Sequence, residues 1–390
     1  MVKFNLTTRK ALAFMTVGLI VFVLYLYYFV GINDIIYTLE RVNTGQYLLF
    51  FSLAFGSMLL AFFFWTAAWR TMLQTLSINL SIRKAFMIFW VGYFFDLIIP
   101  SQTIGSEVTR LYLVRNETKG NLASIAASAI ANRIVEYSIV ATGLFISVAA
   151  ILSTGALPSI VSGFLTLVLI GVLVYLAILL FLAFEKRAAA IIVSIGFKLL
   201  RFLRLKKYQS TDAEENTRKS LNTFYGCFGT FRKNPRTLVK PFIFQLLSFL
   251  FNLAVYILAF MALGIYNLSF GFFVLTFFIA SSIQGATASL SVGSLDIILL
   301  TVFTLYGVVS GISGVAVIVL RSVTYWFPLL LSYALVQVYG LRKIRNIRSK
   351  GKTKPVLSKE RESAPCGHST QNKIVTKKNH ISRASINGQN

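Results

Sequence analysis

The sequence predicts an all-α, polytopic membrane helix bundle, and three observations lead to this fold class. Of the 390 residues, 56% are hydrophobic and only 13% are charged, whereas about 25% of the residues in soluble domains are charged. Several apolar runs exceed the roughly 18 residues that indicate a membrane-spanning helix. The runs are continuous and do not alternate with polar residues, which argues against a transmembrane β-barrel.

The positive charge of the chain agrees with a membrane location. The formal net charge is +25, which in a soluble protein would suggest nucleic acid, but no soluble binding module is visible. In a membrane protein, basic residues mark cytoplasmic loops and face anionic lipid headgroups. We therefore expect membrane lipids as partners and no nucleic acid.

The two cysteines, Cys227 and Cys366, have neither a CxxC spacing nor a metal-ligand spacing. A disulfide framework and a zinc site are therefore not indicated, and we expect no metal and no cofactor. Both thiols are predicted to lie in or beside cytoplasmic segments, where thiols stay reduced. We expect them to play no structural part.

Six segments are long enough to cross the membrane fully, and basic residues orient them. They are residues 11–30, 47–68, 122–152, 159–184, 241–264 and 315–339. Lys and Arg cluster before the first span, in the loop 185–240 and after the last span, which places both termini in the cytoplasm. We predict an integral membrane domain at 1–340, with a cytoplasmic amphipathic loop at 185–240, and a basic disordered tail at 341–390. The cell membrane is the expected location.

Two further apolar regions, 85–115 and 268–312, are interrupted in the middle. Each begins and ends on one side of the membrane, and arms of about 11–18 residues reach roughly 16–27 Å, short of the ~30 Å hydrocarbon core. We predict two opposed re-entrant helical hairpins, which brings the total to eight or more membrane segments. A pair of tilted full spans in each region is an alternative with the same topology.

The two interruptions resemble each other. One reads SQTIGSEVTR and the other SIQGATASLSVGSLDIILL, and in each a Gly-Ser step and a carboxylate open an apolar helix. The predicted breaks are Pro100, Gly105 and Gly293. Irregular backbone at membrane depth is tolerated only beside protein or a water-filled cavity. Interrupted segments that enter from opposite faces therefore indicate a transport-type site where two repeats meet.

Charged residues near the first break form two pairs at the helical i, i+3 spacing, Glu107 with Arg110 and Arg133 with Glu136. Ser106 is the expected N-cap of a helix with Glu107 in its first turn. A capping arrangement without a role in transport is one alternative. Arg133 lies deep in an apolar helix, where a charge needs a partner or a cavity, unless it snorkels to the interface.

Asp296 and Arg321 complete the candidate site residues. Asp296 is the carboxylate of the second hairpin and the expected partner of Arg321 in the last span, and Asp96 is a weaker candidate. Arginine binds phosphate in a bidentate way and keeps its charge in an apolar site. These residues predict a polar cavity for an anionic headgroup. No known catalytic motif is present.

The motifs resemble those of a known family. IIPSQTIGSEVTRLYLV followed by SIAASAIANRIVEY is similar to the P-x-x-x-G-E-x-x-R and E-R-x-x-D pattern in the transmembrane region of lysylphosphatidylglycerol synthases. SVGSLDIILL resembles that family's second glycine-rich motif, and the likeness covers roughly residues 10–340. Asn132 stands where an acid is usual, Glu136 where Asp is usual, and Asp296 where Glu is usual.

The resemblance implies a flippase-like protein that moves or holds an anionic lipid or a lipid-linked precursor. In the synthases a separate soluble domain makes the aminoacyl ester, and the tail 341–390 is too short to contain it, so we expect no enzyme activity. A membrane glycosyltransferase is an alternative, although GINDIIYTLERVNTGQ lacks the expected D-x-D or E-x-D. Another alternative is a non-catalytic partner of an enzyme that modifies lipids or glycans.

Overall fold

In a computed structural model of the protein, the described residues are 40–98, 104–154, 159–186, 211–287 and 291–350, with isolated positions before residue 40. These residues form helices and contain no strand. The helices are α1 (Thr44–Thr75), α2 (Ile82–Ile98), α3 (Ile104–Thr118), α4 (Leu122–Thr154), α5 (Ser159–Phe184), α6 (Thr211–Lys233), α7 (Val239–Ala262), α8 (Phe270–Thr287), α9 (Ser291–Leu305), α10 (Ser310–Arg321) and α11 (Phe327–Lys350). A short 3₁₀ turn, Pro235–Leu238, precedes α7, and a π-helical segment, Ser322–Trp326, joins α10 to α11.

Five helical stretches within the described residues are long and apolar enough to cross a membrane. They are Thr44–Thr75, Leu122–Ala149, Thr166–Phe184, Pro235–Ala262 and Ser310–Val338. Each overlaps one of the predicted spans, so the prediction of a polytopic, helical membrane protein is confirmed. The predicted first span, 11–30, falls almost wholly outside the described residues, and the total of six spans stays a prediction.

The two interrupted regions each contain a pair of short helices. Helices α2 and α3 have 17 and 15 residues, or about 26 and 23 Å at ~1.5 Å per residue, and pack against each other. Helices α8 and α9 also pack against each other. The linking residues 99–103, which include Pro100, and 288–290 lie outside the described residues. Whether these helices form re-entrant hairpins stays a prediction.

Small residues allow close packing of the long helices. The most extensive helix contact joins α1 to α7, where Ser57 Oγ donates to the Phe251 carbonyl and Ser248 Oγ to the Ala61 carbonyl, both at 2.8 Å. In α4, a Cβ at Gly143 would lie 2.0 Å from Cζ of Phe278 in α8. Small side chains and hydroxyl bonds of this kind are the usual means of helix association in membranes, where burial of apolar surface gives little driving force.

The predicted cytoplasmic loop contains an ordered helix, which corrects the expectation for Cys227. Its side chain is 1% exposed in α6 and packs in one apolar cluster with Phe228 and Phe231. Its Sγ also lies 3.2 Å from Ser124 Oγ in α4. The thiol therefore has a structural part, because the apolar face of α6 packs against the bundle. Residues 187–210 of the predicted amphipathic loop lie outside the described residues, as does the tail beyond Lys350, where α11 ends.

Candidate functional site

A half-open cavity of about 210 Å³ lies in the helix bundle and is lined by residues from α1 to α4, α7, α8 and the π-helical segment. Four charged side chains line it: Asp96, Arg110, Arg133 and Glu136. Pockets for drug-sized ligands are typically ~300–1,000 Å³. The cavity is smaller than this range and has room for a small polar group.

Glu107 joins the two predicted charge pairs into one group of four, here called the ion cluster: Glu107, Arg110, Arg133 and Glu136. Its Oε1 accepts hydrogen bonds from Arg133 Nη2 at 2.6 Å and Nε at 3.1 Å, and from Arg110 Nη1 at 3.3 Å. Arg133 Nη1 donates to Glu136 Oε2 at 3.0 Å. Both i, i+3 pairs are therefore present. The link from Glu107 in α3 to Arg133 in α4 is an additional contact between helices.

Arg110 is the most deeply buried member of the ion cluster, with 2% of its surface exposed. Its guanidinium lies over two adjacent aromatic rings, 4.8 Å from the Trp65 centroid and 4.7 Å from the Phe89 centroid. The Arg110 side chain packs against Gly92 of α2, where a larger residue would clash: a Cβ there would lie 2.6 Å from Arg110 Cγ and Nε. Stacking on aromatic faces stabilises a guanidinium away from water.

Asp96, the weaker candidate from the sequence, lines the cavity. The Ser106 side chain lies within hydrogen-bonding range of its carboxylate, and its Oδ1 is buried without a hydrogen-bond partner among the described residues. Because α3 begins at Ile104, Ser106 lies inside the helix and is not its N-cap, which corrects that prediction. Gly105 is also within this helix. The buried Ser106 hydroxyl lies beside the Asp96 carboxylate of the neighbouring helix α2.

Asp296 and Arg321 form a separate ion pair, as expected from the sequence. Arg321 Nε lies 2.5 Å from Asp296 Oδ1, and the two side chains are 6% and 5% exposed. Asp296 Oδ2 also accepts the backbone N–H of Gly293 at 2.9 Å. Gly293 has a φ of +85°, which glycine adopts without strain. The carboxylate thus satisfies a backbone donor in the first turn of α9.

The Asp296–Arg321 pair is not part of the described cavity wall. Packed aromatic side chains connect this pair to the ion cluster. Phe89, which lies under Arg110, stacks on Tyr93 with 5.9 Å between the ring centroids. Tyr93 packs in one cluster with Tyr325, and the Arg321 guanidinium lies 4.7 Å from the Tyr325 centroid. The six candidate residues therefore form two groups that are linked through packed rings.

Sequence reasoning missed a set of uncharged polar residues on one side of the cavity, here called the neutral wall: Gln245, Ser248, Asn252, Tyr256, Ser281 and Thr324. Tyr93 of α2 and Tyr137 of α4 are further uncharged polar residues of the cavity lining. The first four residues of the neutral wall follow one face of α7 at the spacing i, i+3, i+7 and i+11. A stripe of amide and hydroxyl groups at this spacing in an apolar helix is the signal that could have found them.

The site combines guanidinium donors with a surplus of carboxylates. Asp96, Glu107 and Glu136 face two arginines, Arg110 and Arg133. Among the described contacts Arg133 uses three of its N–H groups, and a guanidinium has five. The remaining donors make anion binding chemically feasible. No group of three or more His, Cys, Asp or Glu is placed to hold a metal ion within the described residues.

Comparison with models of protein families assigns the chain to a family. The family model described as the lysylphosphatidylglycerol synthase TM region matches residues 12–332 of the chain. A search of curated proteins found no significant relative. The matched range includes both interrupted regions, all six candidate site residues and the neutral wall.

Proposed function

Because the chain belongs to the family of lysylphosphatidylglycerol synthase transmembrane regions, we propose that it is a flippase-like transporter of an anionic lipid or a lipid-linked precursor. The family and the membrane spans support a membrane protein related to lipid modification. The observation that carries the transport proposal is the ion cluster beside a cavity inside the bundle. Charges inside a membrane helix bundle are costly and mark substrate pathways.

The headgroup phosphate binds at Arg133 and Arg110 in this proposal. Arg133 is 15% exposed and reaches the cavity with N–H groups that its described contacts leave available. Glu107 holds the two guanidiniums close together through one carboxylate oxygen. Its role is therefore to position the arginines, since a carboxylate by itself repels a phosphate.

The phosphate competes with the carboxylates for the N–H groups of the two arginines, and this competition makes headgroup binding reversible. A phosphate must share each guanidinium with Glu107 or Glu136, both already within 3.3 Å of an arginine nitrogen. A pathway must bind its cargo well enough to admit it and weakly enough to release it. The resident carboxylates supply this balance, because they re-form the ion pairs when the lipid leaves. No catalytic residue is part of the proposal.

The proposal includes the topology expected from the sequence: both termini in the cytoplasm of a cell membrane, and interrupted helices that enter from opposite faces. Single cysteines introduced after residue 340 or into 185–240 should react with an impermeant reagent only from the cytoplasmic side. A background without both native cysteines, Cys227→Ala/Cys366→Ala, is needed for this labelling, because Cys366 itself lies after residue 340. Labelling of these positions from outside would contradict the topology.

Reconstitution into liposomes tests the function. We expect purified protein to move a fluorescent anionic phospholipid between leaflets, and Arg133→Ala and Arg110→Ala to abolish this movement. Loss of a charged hydrogen bond costs about 1.5–3 kcal/mol, which is roughly 10- to 100-fold in headgroup affinity. Glu107→Gln should slow the movement, because the guanidiniums lose the carboxylate that positions them.

Lys84→Ala is the matched control for these variants. Lys84 forms an exposed ion pair with Glu117 at 2.7 Å, and such surface pairs contribute about 0–1 kcal/mol. Melting temperatures are measured alongside, since breaking a buried pair also destabilises the fold. If the arginine variants are folded and move lipid at the wild-type rate, the transport proposal is wrong. Inactive but folded wild-type protein would favour a non-catalytic partner of a modifying enzyme.

A further inference from the structure

The charged residues at the cavity include one carboxylate more than they include guanidinium groups. Glu107 and Glu136 are paired with Arg110 and Arg133, with N–O distances of 2.6, 3.0 and 3.3 Å. Asp96 lines the same cavity and forms no ion pair among the described residues. The ion cluster is therefore balanced in charge by itself, and Asp96 is the surplus acid.

One oxygen of the Asp96 carboxylate is unsatisfied. Oδ1 is buried and has no hydrogen-bond partner within the described part of the chain, although the Ser106 side chain lies within hydrogen-bonding range of the carboxylate. A buried charged oxygen that has neither a donor nor a counter-ion is costly. A proton bound at Oδ1 removes the charge and converts the acceptor into an O–H donor.

Arg110 has the matching unsatisfied donor. Its side chain is 2% exposed, and its Nε is buried without a hydrogen-bond partner among the described residues. Arg110 and Asp96 line the same cavity of about 210 Å³, so one small anion there is within reach of both. The anion accepts from Arg110 Nε, and protonated Asp96 donates to the anion. One anion together with one proton therefore satisfies both groups, whereas an ionised Asp96 repels the anion.

The titratable and charged side chains around Asp96 come from its own helix and from the neighbouring elements. They are Tyr93 (α2), Glu107 and Arg110 (α3), Arg133, Glu136 and Tyr137 (α4), Arg321 (α10), Tyr325 (π-helical segment) and Tyr333 (α11). Helix α1 contributes Met58, Phe62 and Trp65 to the cavity, which do not titrate. Tyrosine is neutral near pH 7. The charge of Asp96 is stabilised by Arg110 and Arg133, so an anion that occupies these arginines favours the protonated form of Asp96.

A bound proton also lowers the electrostatic cost of moving a lipid anion. Charge inside a membrane is costly, and the membrane potential acts on each charge that crosses. A phosphodiester with one negative charge that crosses together with one proton moves no net charge. The membrane potential then does not oppose the transport of the anion, and a pH gradient can drive it.

We propose that Asp96 is a proton-binding site coupled to the anion site at Arg110 and Arg133, so that the protein moves its anionic lipid together with one proton. The proton comes from water on the side where the lipid enters, binds Asp96 Oδ1, and returns to water on the other side when the lipid leaves. Because coupling is reciprocal, the anion increases the affinity for the proton as much as the proton increases the affinity for the anion. This inference rests on the proposed function.

Calorimetry on the solubilised full-length protein tests the coupling without transport. The probe is dihexanoyl phosphatidylmethanol, a phosphodiester whose own charge is constant near neutral pH. Titrations in buffers that differ in ionisation enthalpy give the number of protons taken up with the probe. We expect the wild type to take up a proton with the anion, and its affinity to fall by up to about tenfold per pH unit as the pH rises. Asp96→Asn, which keeps the shape of the side chain but does not titrate, should bind without proton uptake and independently of pH.

The control is Glu117→Gln, the same kind of change at a carboxylate paired with the exposed Lys84, which should behave like the wild type. Binding without proton uptake in the wild type, or proton uptake that persists in Asp96→Asn, overturns the inference and leaves the proposed function intact. If Asp96→Asn does not fold, Asp96→Glu replaces it: a shifted pH midpoint of the affinity supports the inference, and an unchanged midpoint overturns it. If the probe does not bind, the proposed function fails, and infrared spectroscopy tests the proton site alone. A carboxylic C=O band that titrates and is absent from Asp96→Asn supports the site, and no such band refutes it.

Discussion

The ion cluster and the Asp296–Arg321 pair begin from the same sequence pattern but differ in burial and surroundings. Each contains a Gly-Ser step and a carboxylate at the start of a short helix. In the ion cluster, Glu107 and Arg133 keep 23% and 15% of their side-chain surface exposed, and Arg133 lines the cavity. The Asp296–Arg321 pair is almost fully buried and stands apart from the described cavity wall.

The difference in exposure suggests different roles: the ion cluster is suited to binding a ligand, and the buried pair to positioning helices. A ligand can reach charges that border a cavity, whereas the buried Asp296 carboxylate is occupied by Arg321 and by a backbone N–H of α9. Arg321 also directly precedes the π-helical segment that brings Thr324 to the cavity. We propose a positioning role for the pair: it holds α9 and α10 together and so places Thr324 at the cavity.

The largest effect is expected when the buried pair is broken. Arg321→Ala leaves Asp296 buried without its partner, which should lower the free energy of unfolding by about 3–5 kcal/mol. The double variant Asp296→Leu/Arg321→Met should recover most of this loss, since well-packed apolar residues often replace a buried ion pair without cost. Thermal unfolding in detergent measures both. If Arg321→Ala melts like the wild type but loses headgroup binding, the pair belongs to the binding site and the comparison fails.

A smaller effect is expected from crowding the ion cluster. Gly92→Ala places a methyl group 2.6 Å from Arg110 Cγ and Nε, which should displace the guanidinium from Trp65 and Phe89. Overpacking costs about 1–3 kcal/mol, and we expect lipid movement to slow more than the melting temperature falls. Gly56→Ala in α1 is the matched control, because nothing lies within 4 Å of its Cβ position. Equal effects of the two variants would show that Arg110 needs no fixed position.

The smallest effect is expected at Cys227, outside both charged groups. Cys227→Ala removes a sulfur packed in α6 and its contact with Ser124, which should cost about 1 kcal/mol, the lower range for removal of buried atoms. Lipid movement should be unchanged, since α6 does not line the cavity within the described residues. The melting temperature measures the loss, with Cys366→Ala as the comparison. An unchanged melting temperature would restore the original expectation that Cys227 has no structural part.

Local patterns predicted the ion pairs that are close in sequence. Glu107 with Arg110 and Arg133 with Glu136 follow from the i, i+3 geometry of a helix, and the contacts confirm it. The pairing of Asp296 with Arg321 was inferred from the need of a buried charge for a partner. The stripe of Gln245, Ser248, Asn252 and Tyr256 was missed, because uncharged polar residues in an apolar helix are common and give a weak signal.

The sequence by itself determined the helical membrane class of this protein and most of its spans, because the length and hydropathy of a segment decide whether it can cross a bilayer. It also indicated the interrupted regions and the acids and bases that need partners. Only the tertiary structure decided that Glu107 bridges two helices and that Asp96 and Gln245 line the same cavity. It also decided that the Asp296–Arg321 pair lies outside the described wall of that cavity. Those outcomes depend on how helices far apart in sequence pack, and side-chain shape at their contacts, such as Gly143 against Phe278, sets that packing.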